Sequence, residues 1–354
     1  MKLGRFIVDT HVHAQRHAAG AALKGSKDYG DLGRAMGQVE AYDNSPRLLY
    51  DMECYGVDMC VLEPAFGMTN EIDVEIMKKH PDKFVCNCMP WATHARFTGE
   101  IEDFSFEAAL KETERLLKTG NFVGIGEGMP MGGMVPGGGR RGRARGRGGP
   151  PRMPDEQTIM QNMMKVCELA RAYKVPVRYH CGMNVGYEGG GGTGPNWNPL
   201  WARNLATNFP DVPIIMEHGG IEGWWWEQLY EGCLYVAAGS KNVYLETGRW
   251  WAELYDKPLR DKNIGAEKLI WGTDWGASLP VQWNPGGYPE VYTEQVRKDG
   301  IIRHQVDIWG WQMKELGRLR IPQDDLNLIL GGNAVRIYNL RTPGGLTRMF
   351  KFVD

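Results

Sequence analysis

Residues 6–13 read FIVDTHVH, and the fold follows from how this stretch is understood. An apolar run closes on two histidines, His11 and His13, two positions apart. On an extended strand that spacing puts both rings on one face. Similar short apolar runs recur at 59–65 (MCVLEPA), 84–90 (FVCNCMP), 122–128 (FVGIGEG), 175–182 (VPVRYHCG), 212–220 (VPIIMEHGG), 243–248 (VYLETG) and 269–276 (LIWGTDWG). They are nearly continuous in apolar character, as strands buried on both faces are.

Helical spacing fills the intervals. SPRLLYDMECYG at 45–56 and FSFEAALKETERLLKTG at 104–120 carry apolar residues three and four apart, the latter ending at Gly120. Residues 155–174, 221–232 and 300–317 read the same way, the last as a helix on the rim. Residues 324–340 read as a short helix, a glycine turn and a closing helix. Strands alternating with helices define an α/β fold. Eight such units favour closure into a (β/α)8 TIM barrel over an open sheet, with residues 1–354 as one domain.

Two stretches break the alternation. Residues 16–44 form a long first loop with weak periodicity. Residues 129–153 form a Gly/Arg-rich insertion with arginines at 140, 141, 143, 145 and 147. No aromatic residue interleaves with them, so a solvated loop or subunit contact fits better than an arm for RNA. A formal net charge of -2 gives no bulk attraction to nucleic acid or anionic membrane. No run has the length of a membrane span, and the N-terminus shows no apolar signal region. The seven cysteines are odd in number and unevenly spaced, which fits free thiols in a reducing cytoplasm.

The residues able to bind metal fall at the strand ends. His11 and His13 end the first strand, Glu127 the fourth, His180 the fifth, His218 the sixth and Asp274 the eighth. Barrel enzymes assemble their chemistry at that rim. Taken singly, a histidine can be a satisfied core residue, Glu127 a buried partner of Arg178, and Asp274 a helix cap. Taken together they suit a cation, because unpaired buried charge is expensive. Mixed imidazole and carboxylate donors fit zinc, iron, manganese or cobalt, as one or two divalent ions. Nearby, Glu63 ends the second strand and Glu246 lies near the end of the seventh. Arg178 and Arg249 are candidates for a substrate carboxylate, with Arg178 deeper on the same face as His180. His17 and Trp275 are further candidates for contact with substrate. Trp224, Trp225 and Trp226 suit an apolar pocket or a packed contact between helix and barrel.

VDTHVH at 8–13, RYHCG at 178–182, MEHGG at 216–220, WGTDWG at 271–276 and LGGNAVRIYNL at 330–340 together resemble the amidohydrolase superfamily, in its amidohydrolase-related, decarboxylase-like branch. The likeness covers nearly the whole chain apart from 129–153. It implies a barrel of the metal-dependent hydrolase type. It also implies His11, His13 and Asp274 as metal ligands, with Asp274 sometimes carrying a proton. His180 corresponds to the ligand of the fifth strand. His218 acts as a base or polarising group in mononuclear members and binds a second metal in dinuclear ones. Dinuclear members need a bridging acid after the fourth strand, and Glu127 occupies that place.

The resemblance leaves three reactions open. The branch implies a C–C lyase acting on a small carboxylic acid. The superfamily at large implies hydrolysis of an amide, ester or lactone, with Asp274 moving the proton. The sequence also resembles an offshoot that hydroxylates small amino acids such as 2-methylalanine, using a redox-active metal pair and a related barrel subunit. A binding or structural subunit with a vestigial site is a fourth, non-enzymatic reading. The family implies an oligomer, either of identical chains or with a related subunit.

Overall fold

The computed structural model describes residues 3–17, 41–64, 68–90, 92–95, 105–126, 156–181, 198–221, 226–276 and 308–342. Glu127, the insertion at 129–153 and Trp224 and Trp225 lie outside them. Each apolar run forms a strand. In order these are β1 (Val8–Val12), β2 (Met59–Leu62), β3 (Phe84–Cys88), β4 (Phe122–Ile125), β5 (Val177–His180), β6 (Ile214–Glu217), β7 (Val243–Glu246) and β8 (Leu269–Ile270). Every strand pairs in parallel with the next in chain order.

The ring closes past the end of β8. Thr10 N donates to Trp271 O at 3.1 Å, Trp275 N to His11 O at 3.2 Å, and His13 N to Trp275 O at 2.7 Å. Val12 and Trp275 form a single parallel bridge. The eight strands thus make the expected (β/α)8 barrel, with a short seam between its last and first strands.

Helices α1 (Ser45–Tyr55), α2 (Asn70–Lys79), α3 (Phe106–Lys118), α4 (Glu156–Tyr173), α5 (Leu200–Asn208) and α6 (Trp226–Gly239) return the chain between strands. Local chemistry sets their ends. The Thr69 side chain accepts from Ile72 N to start α2, and Ser105 Oγ accepts from Ala108 N to start α3. Both helices carry acids in the first turn and bases in the last, matching the helix dipole. Gly56 stops α1 in a left-handed conformation, with φ 70°. Two further helices follow, the short α7 (Asp256–Arg260) and the rim helix α8 (Ile308–Gly317).

The glycine turn expected within 324–340 is not a turn. Helical residues run through Gln323–Asn327, a π-helical Leu328–Gly332 and Asn333–Ile337. A Cβ on Gly331 would lie 2.1 Å from Phe6 O, so this glycine serves close packing against the chain entering β1. The antiparallel pair Gln15–His17 with Ala41–Asp43 bounds the first loop. Among the described residues no helix is long and apolar enough to cross a membrane.

Strand residues divide between two layers. Cys60, Leu62, Cys86, Tyr179, Met216 and Leu245 face the helices. Val8, Met59, Val61, Ile215 and Ile270 face inward and pack on Ala334, Val335 and Tyr338 of the closing segment. Strand β1 does not alternate regularly. Its register on β2 shifts between Asp9 and Val12, so one extra residue is accommodated there. As a result Asp9 faces the outer layer, where it accepts from Trp309 Nε1 of α8 at 2.6 Å, while His11 and His13 face the centre.

Candidate metal centre

Four imidazole rings line the centre in a chain. Centroids are 5.0 Å apart for His13 and His11, 5.2 Å for His11 and His218, and 4.9 Å for His218 and His180. All four residues are buried. Asp274 joins them across the seam. Its Oδ1 lies 3.0 Å from His13 Nε2 and 3.7 Å from His11 Nε2. Donors at the corners of a tetrahedron around zinc are separated by about 3.4 Å, and the two observed distances bracket that value.

The arrangement calls for a cation. His11 Nε2 and Asp274 Oδ1 are buried and have no hydrogen-bond partner. Each such atom costs about 1–3 kcal/mol if left unsatisfied. Burial, then the nearby Arg178 guanidinium, push the His11 pKa well below the ordinary range. Its ring is therefore neutral, the form that donates to a metal. His13 is held from behind by a 2.7 Å contact between Nδ1 and Glu63 O, which leaves Nε2 facing Asp274. The donor set His11, His13 and Asp274 fits a divalent transition metal.

A second set, His11 with His218 and Glu246, also gathers donor atoms within 4.8 Å. Here the contacts describe a hydrogen-bonded support. His11 Nδ1 sits 3.1 Å from both Glu246 oxygens. Glu246 Oε2 is in turn ion-paired with Arg178.

Backbone conformation concentrates at the same place. His218, Arg249 and Asp274 have φ of 56°, 67° and 63°. His218 begins a turn in which Gly219 and Gly220 also have positive φ, at 51° and 85°. A Cβ on Gly219 would meet Trp250 at 2.5 Å, so the HGG run is needed for the turn. Trp250 Nε1 donates to His218 O at 3.0 Å and fixes it. Left-handed non-glycine residues are uncommon and mark sites that the surroundings over-determine.

The anticipated residues do not all reach the centre. Arg178 lies below it, fully buried, with Nε 2.6 Å from Glu63 and 2.9 Å from Glu217, and with its third carboxylate partner at Glu246. Its Nη1 donates to Thr10 O at 2.8 Å and Tyr338 Oη at 3.1 Å. Arg178 is thus a structural hub rather than a group offered to substrate. Arg249 does stand at the site, ion-paired with Asp274 Oδ2. Trp275 packs tilted against Trp309 at 6.0 Å and donates to Asp51 at 3.2 Å, so it supports the wall. Trp226 packs on Trp251 at 5.3 Å, the blander of its two readings. His17 is placed only by its backbone pairing with Ala41. Cys181 faces the outer layer, as alternation requires. Glu217, Asp9 and Tyr338 escaped sequence reasoning. Glu217 shares the inward parity of Ile215, which was the one signal available.

A barrel with metal donors gathered at the C-terminal ends of its strands defines a class of metal-dependent enzymes. The family model described as Amidohydrolase matches residues 8–340, and the chain belongs to that family as a metal-dependent enzyme of the amidohydrolase superfamily. No curated protein sequence matches it. Among solved structures, 5-carboxyvanillate decarboxylase from Sphingomonas paucimobilis aligns at TM-score 0.53 and 15% identity, covering 95% of this chain and 99% of that one. The 5-carboxyvanillate decarboxylase from Novosphingobium aromaticivorans, complexed with manganese and a nitrobenzoic acid, aligns at 0.51 and 14%, covering 96% and 97%. A probable 2-pyrone-4,6-dicarboxylic acid hydrolase from Acinetobacter baumannii, with citric acid bound, aligns at 0.50 and 13%, covering 94% and 99%. At these identities the likeness is one of fold.

Proposed function

We propose that this chain is a decarboxylase-like C–C lyase, dependent on a divalent transition metal, acting on a small carboxylic acid. One observation carries the reading. His11 Nε2, His13 Nε2 and Asp274 Oδ1 converge as donors able to hold a metal ion, while Asp274 Oδ2 is held by Arg249. When bound there, zinc, manganese, iron or cobalt supplies Lewis acidity toward the substrate's oxygens. Arg249 brings a buried guanidinium to the same spot, suited to a carboxylate. His218, on its left-handed turn beside His11, carries the proton that replaces carbon dioxide on the substrate carbon when the C–C bond breaks. His180, one ring further, completes the polar wall.

Hydrolysis fits less well. It would use Asp274 to take a proton from water, and the oxygen suited to that task is in the Arg249 ion pair. Hydroxylation of a small amino acid by an iron pair needs a bridging carboxylate. The candidate, Glu127, lies outside the described residues, so that reading keeps its sequence support alone. Two of the solved structures that share its fold are 5-carboxyvanillate decarboxylases, which supports the lyase reading.

The test pairs metal analysis with reaction assays. Purified protein should hold about one divalent metal per chain and release carbon dioxide from a small carboxylic acid without consuming oxygen. His11→Ala and Asp274→Asn should lose the metal, and a chelator should abolish the activity. Two irons with oxygen uptake would replace the lyase reading with the hydroxylase. Turnover of esters or lactones without carbon dioxide would replace it with the hydrolase. Retention of the metal in both variants would remove the site itself.

A further inference from the structure

We propose that Glu246 is a positioning residue for His11, placing the imidazole so that Nε2 faces the metal, with Arg178 as the counter-ion that keeps Glu246 in place. The inference rests on the reading of His11 as a metal ligand and deepens it.

Three independent features point to this role. First, the contact is specific. Both Glu246 oxygens lie 3.1 Å from His11 Nδ1, and Oε1 also accepts from the backbone N of His218 at 3.4 Å. A carboxylate there favours the tautomer with the proton on Nδ1 and leaves Nε2 as the donor to metal. The same side chain therefore holds the ring beside Asp274 and the strained turn bearing His218.

Second, Arg178 does not need Glu246 for its own neutralisation. It is already bonded to Glu63 and Glu217 at 2.6 Å and 2.9 Å. Glu246 is thus a third carboxylate on a guanidinium that already has two partners, and it is the one of the three that also reaches a histidine ring. A purely structural network would be better balanced with an apolar residue or an amide at 246.

Third, the surrounding chain leaves room for this carboxylate. A Cβ on Gly248 would lie 2.7 Å from Glu246 Oε1, and one on Gly272 would lie 2.9 Å from Glu246 Cδ. Those glycines lie on the segments after β7 and β8. Any larger residue would push Glu246 off His11.

The experiment measures zinc affinity by chelator competition, together with thermal stability, in wild type, Glu246→Gln, Glu246→Ala and His11→Ala. Glu246→Ala should weaken zinc binding roughly 10- to 100-fold, the usual effect of losing a carboxylate behind a ligating histidine. Glu246→Gln keeps an acceptor for Nδ1–H, so it should bind zinc between wild type and Glu246→Ala. It also leaves Arg178 with two carboxylates, so it provides the decisive variant if the alanine protein fails to fold. The proposal is overturned if both variants bind zinc as wild type does while their melting temperatures fall, because Glu246 would then serve only the fold. It is equally overturned if the glutamine variant binds more tightly than wild type. If His11→Ala retains wild-type affinity, the metal-ligand reading fails first, and the two failures are thereby told apart.

Discussion

Arg249 and Asp274 form a buried ion pair in which both partners hold a left-handed backbone, at φ 67° and 63°. Each such residue costs about 1–2 kcal/mol relative to a relaxed conformation. The two come from segments after β7 and β8, on one side of the seam. The strain is tolerated because the pair and the donor set above it fix these side chains in one arrangement.

Glycine should therefore be tolerated better than alanine at position 249. Both Arg249→Gly and Arg249→Ala remove the ion pair, but only glycine relieves the backbone. The glycine variant should be more stable by about 1 kcal/mol, measured by denaturant unfolding of the metal-free proteins. Both should lose most catalytic activity. Equal stability of the two would show that the positive φ carries no strain.

A second prediction concerns Asp73, in the first turn of α2. Gln15, two residues beyond His13, donates to Asp73 Oδ1 at 2.7 Å and to Thr69 O at 2.8 Å. Asp73 Oδ2 is buried with no hydrogen-bond partner. Burial, opposed by the Gln15 bond, raises the Asp73 carboxyl from 3.8 to about 7. The folded state thus keeps a proton that the unfolded state releases above pH 3.8. This contribution is fully present below the unfolded value and is lost as pH rises toward about 7. A shift of about three units corresponds to about 4 kcal/mol at most. Unfolding of wild type and Asp73→Asn across pH 4 to 8 should show the variant gaining on wild type as pH rises. A constant difference would mean that Asp73 is ionised throughout.

Gly276 supplies a third. It has φ 87°, and a Cβ there would lie 2.1 Å from His13 O. Gly276→Ala must separate the end of β8 from the end of β1. The expected loss is at least about 2 kcal/mol, with weaker metal binding because His13 and Asp274 move apart. Calorimetry and metal titration on the same preparation check both. Stability near wild type would indicate that the seam can widen freely.

The barrel itself was legible because buried parallel strands leave continuous apolar runs, and all eight runs hold strands. The rim position of His11, His13, His180, His218 and Asp274 was legible for the same reason. Three helices, α2, α5 and the short α7, were not recognised. Thr69 and the acids of the first turn announced α2, but its sparse apolar face did not. What lay beyond the sequence was depth and register. The extra residue in β1 separates the faces of Asp9 and His11, although their spacing alone makes them neighbours. Arg178 looked available for substrate because nothing in the linear pattern shows that Glu63, Glu217 and Glu246 converge on it. Those carboxylates stand at the ends of three different strands, β2, β6 and β7. The glycines at 331 and 332 read as a turn, whereas the requirement at 331 is a close approach to Phe6.

The short seam between the last and first strands has a mechanical meaning. Strand β8 has only Leu269–Ile270, and the closure beyond it rests on a few backbone bonds around Trp275. His11 and His13 stand on one side of that join and Asp274 on the other. An ion bound by all three is the clasp of a hoop, fastening the two ends of the barrel wall. Hydrogen exchange at the amides of His13 and Trp275 then becomes a gauge of metal occupancy, slow with the clasp shut and faster once it is opened.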